Sequence, residues 1–247
     1  MDSESEIEGT IGCYGSVIDA MELILTSNEA DSGGGIYGIL CNVYLDRSEI
    51  SNNIAKTNGG AIMLSMQSEI SATNSTFSNN LVKNRGNGGA IYINLIKQAF
   101  IQDCFFVSNK AGRGGAIVVV SSMLKSHNNL YSKNKALDGG GGAIMWKGQN
   151  EPSLQNDTML ENIGRYGNNI ASEPMTLFLA DLKNKSHAIK LVATRNDEKF
   201  GVQILLKDFY NQVFDDQAAD FPIYTVAATS ASNNTQNRLT GVLSRQA

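Results

Sequence analysis

The sequence predicts an all-β protein: a right-handed parallel β-helix solenoid followed by a small β-sandwich, complete or truncated. Three observations carry that expectation. A Gly-Gly-Ala-Ile block recurs along the first two-thirds of the chain. An apolar residue followed three positions later by asparagine recurs on the same beat. The segments between glycine clusters, such as "AIMLSM", "AIYINL" and "AIVVV", are short and rich in strand formers, without the i, i+3, i+4 apolar spacing of a helix.

The first element is the isoleucine column. Aligned on the residue after the glycines, it reads Ile36, Ile62, Ile91, Ile117, Ile144 and Ile170, preceded by a weaker copy at Ile11, at intervals of 25 to 29 residues. A period of that length is the signature of a repeat architecture. Leucine-rich repeats are similar in length, but their leucine spacing is absent. Each turn of ~25–27 residues is therefore expected to be one coil of short strands, stacked on the next at about 4.8 Å. The glycines let every coil turn its corner at the same place, because glycine takes positive φ freely and lets backbones approach.

The second element is the asparagine quartet: Leu25/Asn28, Ile50/Asn53, Phe77/Asn80, Phe106/Asn109, Tyr131/Asn134 and Met159/Asn162. The apolar partners are expected to form another inward ladder. The asparagines Asn53, Asn80, Asn109, Asn134 and Asn162 suit a bend in αL geometry and can bond to the next coil as an amide ladder. Three residues before the apolar position stand Asn74, Asp103, Asn128 and Asn156.

The third element is the outward set. If Ile62, Leu64 and Met66 point inward, Met63 points outward. The outward stripe then reads Tyr37, Met63, Tyr92, Val118 and Met145. Such an apolar stripe is either covered by a second domain or a partner, or is ordinary strand surface. It is the candidate partner-binding face. Trp146 falls inward, as a core ladder member; an inverted register would instead make it a sugar-stacking platform.

The coil rhythm spans residues 9–174 and ends at "YGNNIASEP". Beyond it, "MTLFLADL", "HAIKLVAT", "FGVQILLKDF" and "FPIYTVAAT" read as strands separated by turns. Residues 175–247 are expected to be an Ig-like β-sandwich, possible in full or truncated form, that caps the last coil and protects its open edge.

The four intact "GGAI" blocks at 59–62, 88–91, 114–117 and 141–144, with the phenylalanine quartets at 77–80 and 106–109, resemble the repeats of chlamydial polymorphic outer-membrane proteins. The run "YGNNIASEP" before a β-rich segment is similar to the exit from the β-helix in pectin-lyase-like surface proteins of ciliates. The resemblance covers residues 9–174. It implies a non-catalytic passenger or ectodomain at the cell surface or outside the cell, used for adhesion or surface structure, with a protein or carbohydrate partner. The bacterial family carries a secretion signal and a membrane barrel. Neither is in this sequence, so membrane attachment is expected only through segments outside it.

Composition agrees with a folded chain of that kind. Hydrophobic residues make up 42% of 247, and the formal charge is −4 with both signs interspersed. No basic stripe suggests nucleic acid. The start, "MDSESEIEGT", is acidic and polar and is no signal peptide. The chain is therefore expected either to stay inside the cell or to be a fragment lacking its targeting and anchoring ends. Three cysteines, Cys13, Cys41 and Cys104, lack metal-ligand spacing. They read most simply as buried small residues, with one pair left open. Acceptor sequons include Asn74, Asn156 and Asn184, of which Asn74 and Asn156 share a column. A buried column there would exclude glycan.

The fold class also hosts polysaccharide lyases and hydrolases, so a carbohydrate-active enzyme or binding module is the alternative. Such an enzyme needs carboxylates facing each other across neighbouring coils. Asp46, Asp103 and Asp157 stand at different offsets from their coil's isoleucine, so they do not stack. Asp103 falls in a bend column, and Arg47 and Arg113 lack aligned acidic partners. His127 and His187 are far from any ligand-spaced cysteine or histidine, and His127 reads as a solvated loop residue. "DGGGGAI" lacks the Gly-Lys-Ser/Thr ending of a phosphate loop. The acidic turns at Asp215, Asp216 and Asp220 and at Asp197 and Glu198 read as solvated. No catalytic residue, cofactor or metal is expected.

Overall fold

The computed structural model describes residues 9–181 and 202–215. Strands occupy these residues without an α-helix among them, and four parallel sheets wind around one another. Each of the first five coils supplies four short strands. In the second coil these are Ile36–Ile39, Asn42–Asp46, Glu49–Ser51 and Ile54–Asn58. The next coil repeats them as Ile62–Ser65, Glu69–Thr73, Thr76–Ser78 and Leu81–Val82. Seven strands stack in the isoleucine sheet, six in each of the second and third sheets, and five in the fourth.

Register follows the sequence alignment residue for residue. Ile11, Ile36, Ile62, Ile91, Ile117, Ile144 and Ile170 stand over one another through consecutive parallel pairings. Ile36 through Ile144 are fully buried, while the end members Ile11 and Ile170 are half-buried. Beside them run Leu64, Ile93, Val119 and Trp146, also inside. In the third sheet Phe77, Phe106 and Tyr131 stack ring on ring, with centroids 4.8 and 4.9 Å apart and planes within 10°. The coil spacing and a comfortable aromatic stack are nearly the same length, so one register satisfies both.

Four corners separate the sheets, and each carries a column of positive-φ residues. At the glycine corner the reason is steric. Gly88 has φ +68°, and a Cβ there would overlap the carbonyl of Ile91. A Cβ on Gly89 would run into the carbonyl of Gly115 in the next coil, which approaches too closely for any side chain. This pair of demands explains why two successive glycines recur.

The asparagine corner differs from expectation in one respect. The αL residue is the one before the ladder asparagine: Asn52 (φ +57°) and Asn79 (φ +55°) turn the chain, while Asn53 and Asn80 do not. Asn53, Asn80, Asn109 and Asn134 are fully buried, and Asn162 nearly so. Each side-chain oxygen accepts from the backbone N–H and the amide of the asparagine one coil earlier, as Asn80 Oδ1 does from Asn53 at 3.0 and 3.1 Å. Each amide also donates backwards to a buried carbonyl, as Asn80 does to Ile50 at 2.9 Å. The ladder runs from Asn28 to Asn162. Buried backbone groups at this corner have no strand partner, so the amide column satisfies them.

A second polar ladder, which the sequence reading missed, lines the preceding corner. Leu23 N–H donates to Ser48 Oγ, Ser48 N–H to Ser75 Oγ, Ser75 N–H to Cys104 Sγ, Cys104 N–H to Asn129 Oδ1, and Asn129 N–H to Asp157 Oδ1. The residue type changes at almost every rung; the acceptor does not. Cys104 is buried and free, and it serves as one of these acceptors.

The other two cysteines correct the simplest reading. Cys13 and Cys41, 28 residues apart, form a disulfide that joins the first coil to the second.

At the other end, strands Pro174–Asp181 and Val202–Asp208 pair antiparallel as a two-stranded sheet. The rest of the expected sandwich, including His187, Asp197, Glu198, Asp216 and Asp220, lies outside the described residues. The turn after the second strand closes over the last coil. Asp208 accepts from Ser172 N–H at 3.1 Å, and Phe209 N–H donates to Ser172 Oγ at 2.8 Å. Gln212 donates to the carbonyl of Ile170 at 3.0 Å. Trp146 lies in the core, donates to the Tyr210 hydroxyl at 3.1 Å and meets Phe209 edge-on. Edge groups of the final coil at Ile170 and Ser172 thus find partners in the turn.

Candidate interaction face

The outer side of the isoleucine sheet presents two columns. The first reads Gly12, Tyr37, Met63, Tyr92, Val118, Met145 and Ala171, in register across six pairings. The second reads Tyr14, Ile39, Ser65, Asn94, Val120 and Lys147. Strand alternation puts both on the side away from the core. Tyr37, Met63 and Tyr92 are half-buried, whereas Val118 and Met145 are buried at 5% and 6% exposure. The accessible part of the stripe is therefore its first half. Tyr14 packs its ring 6.1 Å from that of Tyr37. Burial pushes the Tyr92 phenol above its usual range, and the nearby Lys147 partly opposes this.

The corner beside this sheet extends the apolar surface. Met66 does not continue the inward set, because its strand ends at Ser65 and the chain turns there. Leu40, Met66 and Leu95 occupy the same corner in successive coils, with φ of +53°, +53° and +54°. They are 53%, 56% and 57% exposed. An L-residue in the left-handed region pays about 1–2 kcal/mol, and bulky residues are seldom found there. The corresponding corner holds Ser121, at φ +44°, in the fifth coil, and Gly15 in the first and Gly148 in the sixth, where that strain is absent. Three middle coils thus carry large apolar side chains at a strained position that burial does not reward. The signal was legible as an apolar residue one place beyond each strand, but the assumed inward run to Met66 concealed it.

The other candidate residues lie elsewhere. Asp46 is on the outer side of the second sheet, where hydrogen bonds from Asn74 and Thr73, and then Arg47, hold its carboxyl below the usual range. Arg47 pairs with Asp46 at 2.7 Å and with Glu22 at 3.4 Å. Asp103, at φ +52°, is a corner residue bonded to Gln102. Asp157 sits in the second polar ladder, with one carboxyl oxygen accepting from Asn129 and the other buried without a partner. These three carboxylates occupy three different columns. His127 ends the strand Leu124–His127, in register with Gln102 and Gln155, and is not a loop residue. Asp215 pairs with Arg165 at 2.8 Å. Among the described residues, no group of three or more His, Cys, Asp or Glu side chains could hold a metal ion, and no helix is long and apolar enough to cross a membrane.

Comparison with protein families matches the model described as "Right handed beta helix region" over residues 3–159, more than half of the chain. Comparison with curated proteins and with solved structures gives no match.

Proposed function

This chain belongs to the right-handed β-helix family, and on that premise we propose that it is a non-catalytic, adhesin-like surface protein. Its isoleucine-sheet face binds a protein or carbohydrate surface outside the cell. The observation that carries this reading is the column Leu40, Met66 and Leu95, exposed and strained beside Tyr37, Met63 and Tyr92. Backbone strain and exposed apolar surface each have a cost, and a site that pays both invites a functional explanation. The Cys13–Cys41 disulfide supports an oxidising location, since cytosolic reductants keep such pairs open.

Replacing Leu40 and Leu95 together by asparagine tests the reading. Asparagine tolerates the left-handed region, so the variant should fold at least as well as the parent. The labelled 247-residue chain is applied to intact cells from its source and to a panel of immobilised polysaccharides. The parent is expected to be retained and the variant lost by tenfold or more. Equal retention of the two, or release of cleavage products from a polysaccharide by the parent, would overturn the proposal. Antibody labelling of native cells without permeabilisation tests the location separately.

A further inference from the structure

The structure assigns Asn74 and Asn156 as acceptors of N-linked glycan; the assignment rests on the reading of the chain as a surface or secreted protein. Both begin an Asn-x-Thr sequon, Asn74-Ser-Thr76 and Asn156-Asp-Thr158. Both sit at the corner between the second and third sheets with φ of +49° and +55°, and both are exposed. They occupy one column, three coils apart, so two glycans would stand about 14 Å from each other along one edge.

Geometry separates these asparagines from the buried ladder. Two residues after a ladder asparagine the chain points inward, and the positions hold Ala55, Val82, Ala111 and Ala136, all buried. A hydroxyl there would lie in the small apolar cluster of the fourth sheet. Two residues after the outward corner the strand starts with its side chain facing solvent, so Thr76 and Thr158 stand half-buried and exposed. The fold therefore admits the sequon in the column where the amide is accessible and disfavours it where the amide is structural. Asn74 donates one amide hydrogen to Asp46 at 3.1 Å. A glycosylated amide retains one N–H, so this bond survives modification.

The modifying step forms a bond between asparagine Nδ2 and the anomeric carbon of an oligosaccharide carried on a lipid pyrophosphate. The anomeric C–O bond breaks, the lipid pyrophosphate leaves, and one amide proton is released; nothing is oxidised or reduced. A eukaryotic secretory route supplies the donor and the transferase. Glycans at this edge would leave the isoleucine-sheet face open for its partner.

The test uses the native full chain, purified from cells and medium, with site mapping by mass spectrometry before and after amidase release of N-glycans. The expected result is glycan at Asn74 and Asn156, each converted to aspartate on release. Thr158→Ala and Thr76→Ala, which leave both corner asparagines in place, should each remove one glycan without lowering the melting temperature by more than a few degrees. A surface-labelled or secreted chain with both sites unmodified overturns the assignment alone. A chain confined to the cell interior, reached by antibody only after permeabilisation, overturns this assignment and the surface reading together. Glycan on Asn80 or Asn109 would contradict the inside-outside arrangement on which the inference stands.

Discussion

Replacing Asn80 by alanine should destabilise the solenoid far more than replacing its neighbour Asn79 by glycine. Asn80 Oδ1 accepts from the Asn53 backbone N–H and from the Asn53 amide, and Asn80 Nδ2 donates to the Ile50 carbonyl. Truncation leaves these three buried groups without their partner. Each buried orphan costs about 1–3 kcal/mol, and some relief comes as water or side chains adjust, so a loss of about 3–6 kcal/mol is expected. That is a large part of the 5–15 kcal/mol typical of a folded domain. Asn79, one residue earlier, is exposed at φ +55°, a conformation glycine adopts without strain; its glycine variant should stay within about 0.5 kcal/mol of the parent. Urea unfolding followed by Trp146 fluorescence gives the global change. Amide exchange at Asn53 gives the local one, since that N–H loses its acceptor. A loss below about 1 kcal/mol for Asn80→Ala, or equal losses in the two variants, would refute the argument that the amide ladder holds the corner.

Three further outcomes follow from named contacts. Breaking the Cys13–Cys41 bond, by reduction or by replacing both residues with alanine, should cost about 2–4 kcal/mol, and exchange should rise first in the two coils it joins; an unchanged melting temperature would count against it. Burial pushes the Cys104 thiol up to about 11 from 9.0. The unfolded chain then releases this proton first, so the contribution is intact below about pH 9 and is lost as pH rises toward about 11, for a total of about 3 kcal/mol. Cys104→Ser keeps an acceptor for Ser75 N–H and should flatten the stability difference across that range; parallel pH profiles for parent and variant would contradict the assignment. Gly89→Ala should prevent folding, because the added carbon meets backbone of the next coil. Gly15→Ala, with nothing within 4 Å but φ +56°, should cost only the ~1–2 kcal/mol of left-handed geometry. Circular dichroism and thermal melts distinguish the two, and a folded Gly89→Ala variant would remove the close-approach explanation.

The period was legible because one residue type answers one physical demand at each rung. Only glycine fits where the Gly89 Cα approaches Gly115, so Gly34, Gly60, Gly89, Gly115 and Gly142 repeat until Asn168 takes that place in the last coil. Only an amide combines an oxygen acceptor with two N–H donors, one for the next rung and one for a backbone carbonyl, so Asn53, Asn80, Asn109, Asn134 and Asn162 repeat too. The second ladder needs one acceptor at every rung, while the side-chain hydrogens of Ser48, Ser75 and Cys104 go to backbone carbonyls rather than to the next rung. Serine, thiol, amide and carboxylate all meet that demand, and the column Ser48, Ser75, Cys104, Asn129, Asp157 has no visible motif. The disulfide was hidden for a related reason. Cys13 stands in register with Gly38, and Cys41 lies just beyond the neighbouring corner, so their approach depends on how two coils turn rather than on spacing.

The same reasoning limits how far the interaction face could be read. Buried positions repeat because each is constrained from above and below by a neighbour of the same kind. Outward positions have solvent on one side, and the register that aligns Tyr37 with Met63 and Tyr92 imposes size but not identity. Assigning Tyr37, Met63, Tyr92, Val118 and Met145 to one stripe required only the period and strand alternation. Deciding that Val118 and Met145 are covered while Leu40, Met66 and Leu95 stand out required the corner geometry. That corner is where local preference and the observed residue disagree. Glycine or asparagine would relieve the backbone at Leu40 and Leu95, and the chain uses glycine at the equivalent Gly15 and Gly148. Ser121 holds the same left-handed corner without glycine in the fifth coil, where Val118 is covered, so it is the size and exposure of Leu40, Met66 and Leu95, not the lack of glycine, that supports the proposed binding face.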